Sequence, residues 1–465
     1  MTLLGIVLAA GQGKRMKSKL YKVMHPVCGK PMVGHVMDIL DQAQVGRKVV
    51  IVGHGAETVK SYLGNRAEYA LQVEQLGTGH AVLQAKELLQ HVDGTTVVIC
   101  GDTPLVKAET LQRMIQVHEV QKAAATILTA KLANPEGYGR IVRDPQGNVT
   151  AIVEQKDCSE EECTINEINA ATYLFDNRSL FQALNHVDNK NIQQEYYLTD
   201  VIRIMQQAGK KVIGYCTDED AEVIGVNDRV ALSEAEGYMR KRIIDTHMLN
   251  GVTIVDPVHT YIDKEVVIGI DTVLLPGCTL RGSTTIGADC IIGPHTEIVD
   301  TQVGDHVQVK QSVLSEAIVG NACVIGPFAY LRPGAKLGER VKIGDFVEIK
   351  NASLGDDTKV SHLSYVGDAT MGKNVNFGCG AITVNYDGFN KQQTEVGDNA
   401  FIGSNSNLIA PVKIGKGAYV VAGSTITDEV MEEDMAIARQ RQTNKPGYAS
   451  KLRNKMQAKK NNVQK

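Results

Sequence analysis

A chain of 465 residues, 43% hydrophobic and 22% charged, holds enough apolar material for two or three packed domains. Its formal net charge of −4 gives no overall attraction to nucleic acid or to an anionic membrane. Nine cysteines without a CxxC pair, and no apolar run near the roughly 18 residues of a spanning helix, predict free thiols in the cytoplasm and no membrane partner.

In chain order, residues 3–10 read as a fully buried strand that runs into a glycine loop, Gly11-Gln12-Gly13-Lys14-Arg15-Met16. Further aliphatic runs at Lys48–Val52 and Thr95–Cys100 alternate with helical patterns at about 33–45 and 79–91. Strands alternating with helices imply a mostly parallel sheet covered on both faces, so residues 1–228 are expected to form a Rossmann-like α/β domain. A single linking helix is predicted over residues 229–249, ended by Asn250-Gly251.

From residue 262 an aliphatic residue recurs at every sixth position: Ile262, Ile268, Leu274, Leu280, Ile286, Ile292 and Ile298. The phase slips, then returns through Val319, Ile325, Leu331, Leu337, Ile343 and Ile349, and again from Val396 to Ile426. A period of six fits neither an amphipathic helix nor one alternating strand. It fits a coil of short strands with one aliphatic residue per face pointing inward and glycine at the corners. Residues 250–465 are therefore expected to form a parallel β-helix, broken once between Phe377 and Val396. The tail from Lys445 carries seven Lys/Arg and no acid, and is expected to be solvated and poorly ordered.

Two sets of residues carry chemistry. The glycine loop lies where a strand meets a loop, the place where open α/β sheets bind ligands. The first 37 residues hold Lys14, Arg15, Lys17, Lys19, Lys22 and Lys30 and no acid, which suits a triphosphate better than a dinucleotide. The alternative is a solvated basic loop. Asp102 ends the third aliphatic run and is placed either to hold Mg²⁺ against phosphates or to cap the next helix. In the second half Arg332 and Lys350 lie 18 residues apart, three repeats, so they are expected to stack on one face. His362, beside an inward Ser361, should face outward or sit at a corner. Two stacked cations near a histidine read as a phosphate pocket with a base.

Leu8-Ala9-Ala10-Gly11-x-Gly13-x-Arg15-Met16, Lys22 and Gly29-Lys30-Pro31-Met32 are similar to the signature of sugar-1-phosphate nucleotidyltransferases. Gln75-Leu76-Gly77-Thr78-Gly79-His80, Gly137-Tyr138-Gly139-Arg140, Glu167-Ile168-Asn169 and Gly225-Val226-Asn227, with the β-helix, narrow the likeness. The chain resembles the bifunctional N-acetylglucosamine-1-phosphate uridylyltransferase/glucosamine-1-phosphate N-acetyltransferase family from about residue 3 to 440. The resemblance implies that Leu8, Ala9, Ala10, Gly11, Lys22, Gln72, Gly77 and Thr78 line the uridine nucleotide. It implies Gly139, Glu154, Asn169 and Asn227 on the sugar nucleotide, Asp102 and Asn227 on Mg²⁺, and Arg15 on the triphosphate. In the second half it implies His362 as base, Arg332, Lys350, Tyr365 and Asn376 on the sugar phosphate, and Cys379, Asn385, Tyr386, Ser404, Ala422 and Arg439 on acetyl-CoA. It further implies a left-handed β-helix, a homotrimer, and glucosamine 1-phosphate, N-acetylglucosamine 1-phosphate, UTP and acetyl-CoA as substrates of a pathway feeding peptidoglycan.

Three departures stand out: Tyr21 where proline is usual, Ala170-Ala171 where Thr-Gly is typical, and Cys379 where alanine is common. Two other functions are open on residues alone. One is a nucleotidyltransferase whose β-helix only oligomerises it; the other is a non-enzymatic binding protein. His362 with Arg332, Lys350 and the Asn385-Tyr386 loop argues against the first, since a scaffold needs none of them; the broken period and the absence of threonine ladders argue against the second.

Overall fold

The computed structural model describes residues 2–463. The chain divides into two compact units. The first runs up to Asn250 and adds Tyr261–Val266 and Leu280–Gly282; the second holds Gly251–Thr260, Val267–Thr279 and the chain from Ser283 onward.

Among the described residues the first unit is built on a nine-stranded sheet: β1 (Leu3–Ala9), β2 (Arg47–Val52), β3 (Glu68–Leu71), β4 (Thr95–Cys100), β5 (Ala125–Lys131), β6 (Arg140–Arg143), β7 (Val149–Val153), β8 (Glu167–Asp176) and β9 (Val212–Cys216). Their order is β9-β5-β8-β4-β1-β2-β3, with β6 pairing β8 and β7. β1 pairs in parallel with both β2 and β4, whereas β8 runs antiparallel to β4 and β5. Alternate residues of one strand feed two cores. Val7, Val50, Val97 and Ile99 enter one cluster, and Ile6, Val49, Ile51 and Val98 the other. The sheet is thus covered on both faces, which is why its strands read as continuous aliphatic runs rather than alternating ones. Order reverses beside β1, whose neighbours are the second and fourth strands in sequence, so the crevice at its carboxyl end is the natural ligand position.

The predicted helix at 33–45 is Met32–Gln42, and the linking helix is Arg229–Leu249. Asp228 starts the latter by accepting hydrogen bonds from Val230 N and Ala231 N, both at 3.0 Å, and Gly251 follows its end at φ 92°. The helix predicted over 79–91 is instead two short pieces, Thr78–Leu83 and Lys86–Leu89. Tight three-residue bonds from Gln84 N to Ala81 O and Ala85 N to Val82 O interrupt it.

The second unit is a parallel β-helix of short strands arranged in three sheets. All nineteen aliphatic positions of the six-residue pattern are at most 8% exposed. The phase slip has a physical cause. Inward residues are spaced by five rather than six from Ile298 to Val303, and from Val309 through Leu314 to Val319, where the coil has shorter sides. The same shortening moves one prediction: Ile343 pairs with Val360, so Val360 and not Ser361 points inward. The break after Phe377 is a loop with a bridge between Tyr386 and Lys391. Within the basic tail, Tyr448–Val463 form a helix rather than irregular chain. Among the described residues no helix is long and apolar enough to cross a membrane.

Candidate functional sites

The first site is assembled at the carboxyl ends of β1 and β4. Gly13, at φ 61°, folds the loop so closely on Lys22 that an added Cβ would lie 2.6 Å from the Lys22 Cβ. That contact aims the lysine inward, where its Nζ bonds Asn227 Oδ1 at 2.6 Å and forms an ion pair with Asp102. Asp102 is held in turn, because Val226 N donates to its carbonyl at 2.9 Å. Two oxygen donors from distant parts of the sequence therefore converge on one cationic point. This is the donor set a divalent metal with mostly phosphate and water ligands requires.

Around that point Gln72 is buried, donating to Gly77 O at 3.2 Å and bonding His80 Nδ1 at 3.0 Å. Gly77 sits at φ 112°, and a Cβ there would meet Tyr196 O at 2.6 Å; only glycine fits. Thr78 Oγ1 accepts from Leu198 N at 3.0 Å. Glu154 accepts from Thr199 at 3.2 Å, and burial pushes its carboxyl above the usual range. Asn169 donates to Tyr173 Oη at 2.7 Å, and its backbone N bonds Gly139 O at 2.9 Å. Arg15 is exposed, on the same loop as Gly13. Tyr21 donates its hydroxyl to Ala9 O, so this departure pins the end of β1.

The second site lies along one corner of the β-helix. Gly380 N donates to His362 O at 3.3 Å, Asn405 N to Cys379 O at 2.8 Å, and Gly423 N to Ser404 O at 2.8 Å. His362, Cys379, Ser404 and Ala422 accordingly stand on successive turns of a single edge, and Arg439 lies beside Gly423. His362 is exposed, as the sequence predicts for a corner residue. On the adjoining face the expected stack is present in register, since Arg332 N bonds Ile349 O at 2.8 Å. The Arg332 guanidinium is paired with Glu348 at 2.6 Å. Asn376 lies on a different sheet, in the strand that pairs with Lys359–His362, and one chain does not bring it onto the face of Arg332, Lys350 and Tyr365.

Three charged groups here escaped sequence reasoning. Asp368 is buried. Burial works to raise its carboxyl, but hydrogen bonds from Asn351 and Asn385 and the charges of Lys350 and Lys391 outweigh it and hold it below the usual range. Lys391, from the loop, has its ammonium held down by the adjacent Lys350 ammonium. Lys350, Lys391 and Arg332, which stacks in register with Lys350, gather cationic groups on this face, the kind that recognise an anion. Glu348 is the third, as the partner of Arg332.

Comparison with known proteins decides the assignment. Residues 4–221 match the nucleotidyl transferase family, 261–353 the GMPPB C-terminal domain, and 393–428 the bacterial transferase hexapeptide with six repeats. A bifunctional protein GlmU of Geobacillus sp. (strain WCH70) is 58% identical over 447 residues, covering 96% of this chain and 97% of that protein. The bifunctional protein GlmU of Enterococcus faecalis (strain ATCC 700802 / V583) is 59% identical, covering 96% of this chain and 98% of its own. That of Exiguobacterium sp. (strain ATCC BAA-1283 / AT1b) is 58% identical, covering 96% and 99%.

The chain belongs to the bifunctional GlmU family.

It is accordingly an enzyme with two transferase activities, uridylyl transfer and acetyl transfer in UDP-N-acetylglucosamine synthesis, acting on sugar phosphate, nucleotide and acetyl-CoA. Nucleotidyl transferases of this family use a divalent metal, and the Asp102–Asn227 pair fits one. Family membership also gives meaning to the Ala170-Ala171 departure. Ala171 adopts φ 52°, a left-handed backbone that suits the glycine typical there and costs another residue about 1–2 kcal/mol.

Proposed function

We propose that Asp102 and Asn227 hold Mg²⁺ in uridylyl transfer, and that His362 is the base in acetyl transfer. The metal, when bound, neutralises phosphate charge as a sugar-phosphate oxygen attacks the α-phosphorus of UTP and pyrophosphate departs. Lys22 and Arg15 supply cations to the same phosphates, while Leu8, Ala9, Ala10, Gly11, Gln72, Gly77 and Thr78 enclose the uridine nucleotide. Gly139, Glu154 and Asn169 hold the N-acetylglucosamine. The attacking phosphate is already ionised near neutral pH, so this step requires no strong base.

In the second site the amine of glucosamine 1-phosphate attacks the thioester carbonyl of acetyl-CoA. A nitrogen–carbon bond forms, the carbon–sulfur bond breaks, and CoA leaves. His362 takes the proton that the amine must lose. Arg332, Lys350 and Tyr365 bind the sugar phosphate, while Cys379, Ser404, Ala422 and Arg439 form an edge for acetyl-CoA with Asn385 and Tyr386. The observation that carries this reading is the single corner on which His362 and the acetyl-CoA residues stack. Asn376, on another sheet, completes the sugar site from a neighbouring subunit of a homotrimer with a left-handed coil. Nine unpaired cysteines are in keeping with a cytoplasmic enzyme.

Arg332→Ala tests the phosphate role. The variant should raise the Michaelis constant for glucosamine 1-phosphate by about tenfold or more, since a charge-assisted hydrogen bond is worth roughly 1.5–3 kcal/mol. Acetyl turnover at saturation should stay near wild type. An unchanged Michaelis constant in steady-state kinetics would remove Arg332 from the phosphate site.

A further inference from the structure

Asp345 stands one coil before His362. The strand register pairs the two residues directly, and His362 Nδ1 lies 2.6 Å from Asp345 Oδ1. The backbone builds this pair. Leu363 N donates to Asp345 O at 2.9 Å, and both Phe346 (φ 55°) and Leu363 (φ 48°) turn the chain at the same corner. Next to the pair, Gly344 lets the coils approach: a Cβ there would fall 1.9 Å from Ser361 O. Asp345 and His362 are thus placed by main-chain geometry, not by two mobile side chains meeting.

The chemistry follows from protonation. The hydrogen bond to His362 holds the Asp345 carboxyl below the usual range, so at neutral pH it is a carboxylate and can only accept. His362 Nδ1 must then be the donor, which leaves the Nε2 lone pair free. A neutral imidazole in the other tautomer would present N–H at Nε2 and could not take a proton there.

We propose that Asp345 is a positioning residue for acetyl transfer, fixing His362 in the Nδ1–H tautomer with Nε2 turned to the substrate amine. This rests on His362 being the base. The side chains are 38% and 59% exposed, so the pair contributes little to stability, and its effect should appear in turnover instead.

The test is steady-state acetyl-transfer kinetics on the full-length protein with Asp345→Ala, Asp345→Asn, His362→Ala and the double Asp345→Ala/His362→Ala variant. Asp345→Ala should lower kcat by on the order of tenfold or more, part of the roughly 10²–10⁴-fold that a general base supplies. Its Michaelis constant for glucosamine 1-phosphate and its thermal unfolding should be unchanged. Asp345→Asn should stay impaired in turnover although its size and hydrogen-bonding reach are kept, because its amide can donate to Nδ1 and so no longer enforces the Nδ1–H tautomer. The double variant should be no slower than His362→Ala alone. If His362→Ala is crippled while Asp345→Ala turns over normally, the base stands and the Asp345 role is overturned. A near-normal His362→Ala overturns the base reading, and the Asp345 role falls with it. Additive losses in the double variant would show Asp345 acting apart from the imidazole, which also overturns the proposal. Should Asp345→Ala prove unstable, Asp345→Ser is judged by the same criteria.

Discussion

Asp102→Ala is expected to cut uridylyl transfer by on the order of 10²-fold or more while acetyl transfer keeps its wild-type turnover. Asp102 and Asn227 both point at the Lys22 ammonium, so removing the carboxylate deletes half of the convergent oxygen donors and the only charged one. Under the proposed function the phosphates of UTP would then lose the metal's charge and keep only side-chain cations such as Lys22 and Arg15. A fold defect is not expected, since Val226 bonds the Asp102 main chain and that contact survives the substitution. Pyrophosphate release measures the first activity and CoA release the second. Equal loss of both in a folded variant would mean that Asp102 serves structure rather than the metal.

His362→Ala should have the mirror-image effect. An ammonium cannot attack a thioester, and under the proposed function His362, on the corner it shares with Cys379, Ser404 and Ala422, takes that proton. Acetyl turnover should fall by about 10²–10⁴-fold, the usual worth of a general base. The Michaelis constant for glucosamine 1-phosphate should change little, because Arg332 and Lys350, the proposed phosphate ligands, remain. Uridylyl transfer from N-acetylglucosamine 1-phosphate should be untouched. Near-normal acetyl turnover would show that the amine binds already deprotonated or that another group accepts its proton.

The contrast between what was readable in the chain and what was not has a physical origin. Burial patterns were readable. The aliphatic runs of β1, β2 and β4 and the six-residue period report core positions directly, and all nineteen periodic residues are buried. The linking helix was readable with its end at Asn250-Gly251, while the Asp228 cap at its start appears only in the structure. Register was readable only where the coil kept sides of six. One shortened side between Ile349 and Leu354 put Val360 inward in place of Ser361, and it hid Asp345, which lies 17 residues before His362 rather than 18. Arg332 and Lys350, spaced by a full 18, were found. The ion pair of Arg332 with Glu348, the buried Asp368 and the Lys350–Lys391 encounter depend on side-chain neighbours that no periodicity encodes. In the first unit the glycine loop and Asp102 stood out by charge and position. The reach from Lys22 to Asn227, 205 residues apart, becomes visible only after folding.

The central claim is that two independent sites on one chain carry out successive transfers. It is tested by mixing the two variants. Asp102→Ala and His362→Ala proteins are each supplied with glucosamine 1-phosphate, acetyl-CoA, UTP and Mg²⁺, while CoA, pyrophosphate and UDP-N-acetylglucosamine are followed together. Asp102→Ala alone should release CoA and accumulate N-acetylglucosamine 1-phosphate, and His362→Ala alone should release almost no CoA or pyrophosphate. Combined, they should restore UDP-N-acetylglucosamine, because the first makes the intermediate that the second consumes. A mixture of folded variants that yields no UDP-N-acetylglucosamine, or an Asp102→Ala protein that releases no CoA, would contradict the two-site account.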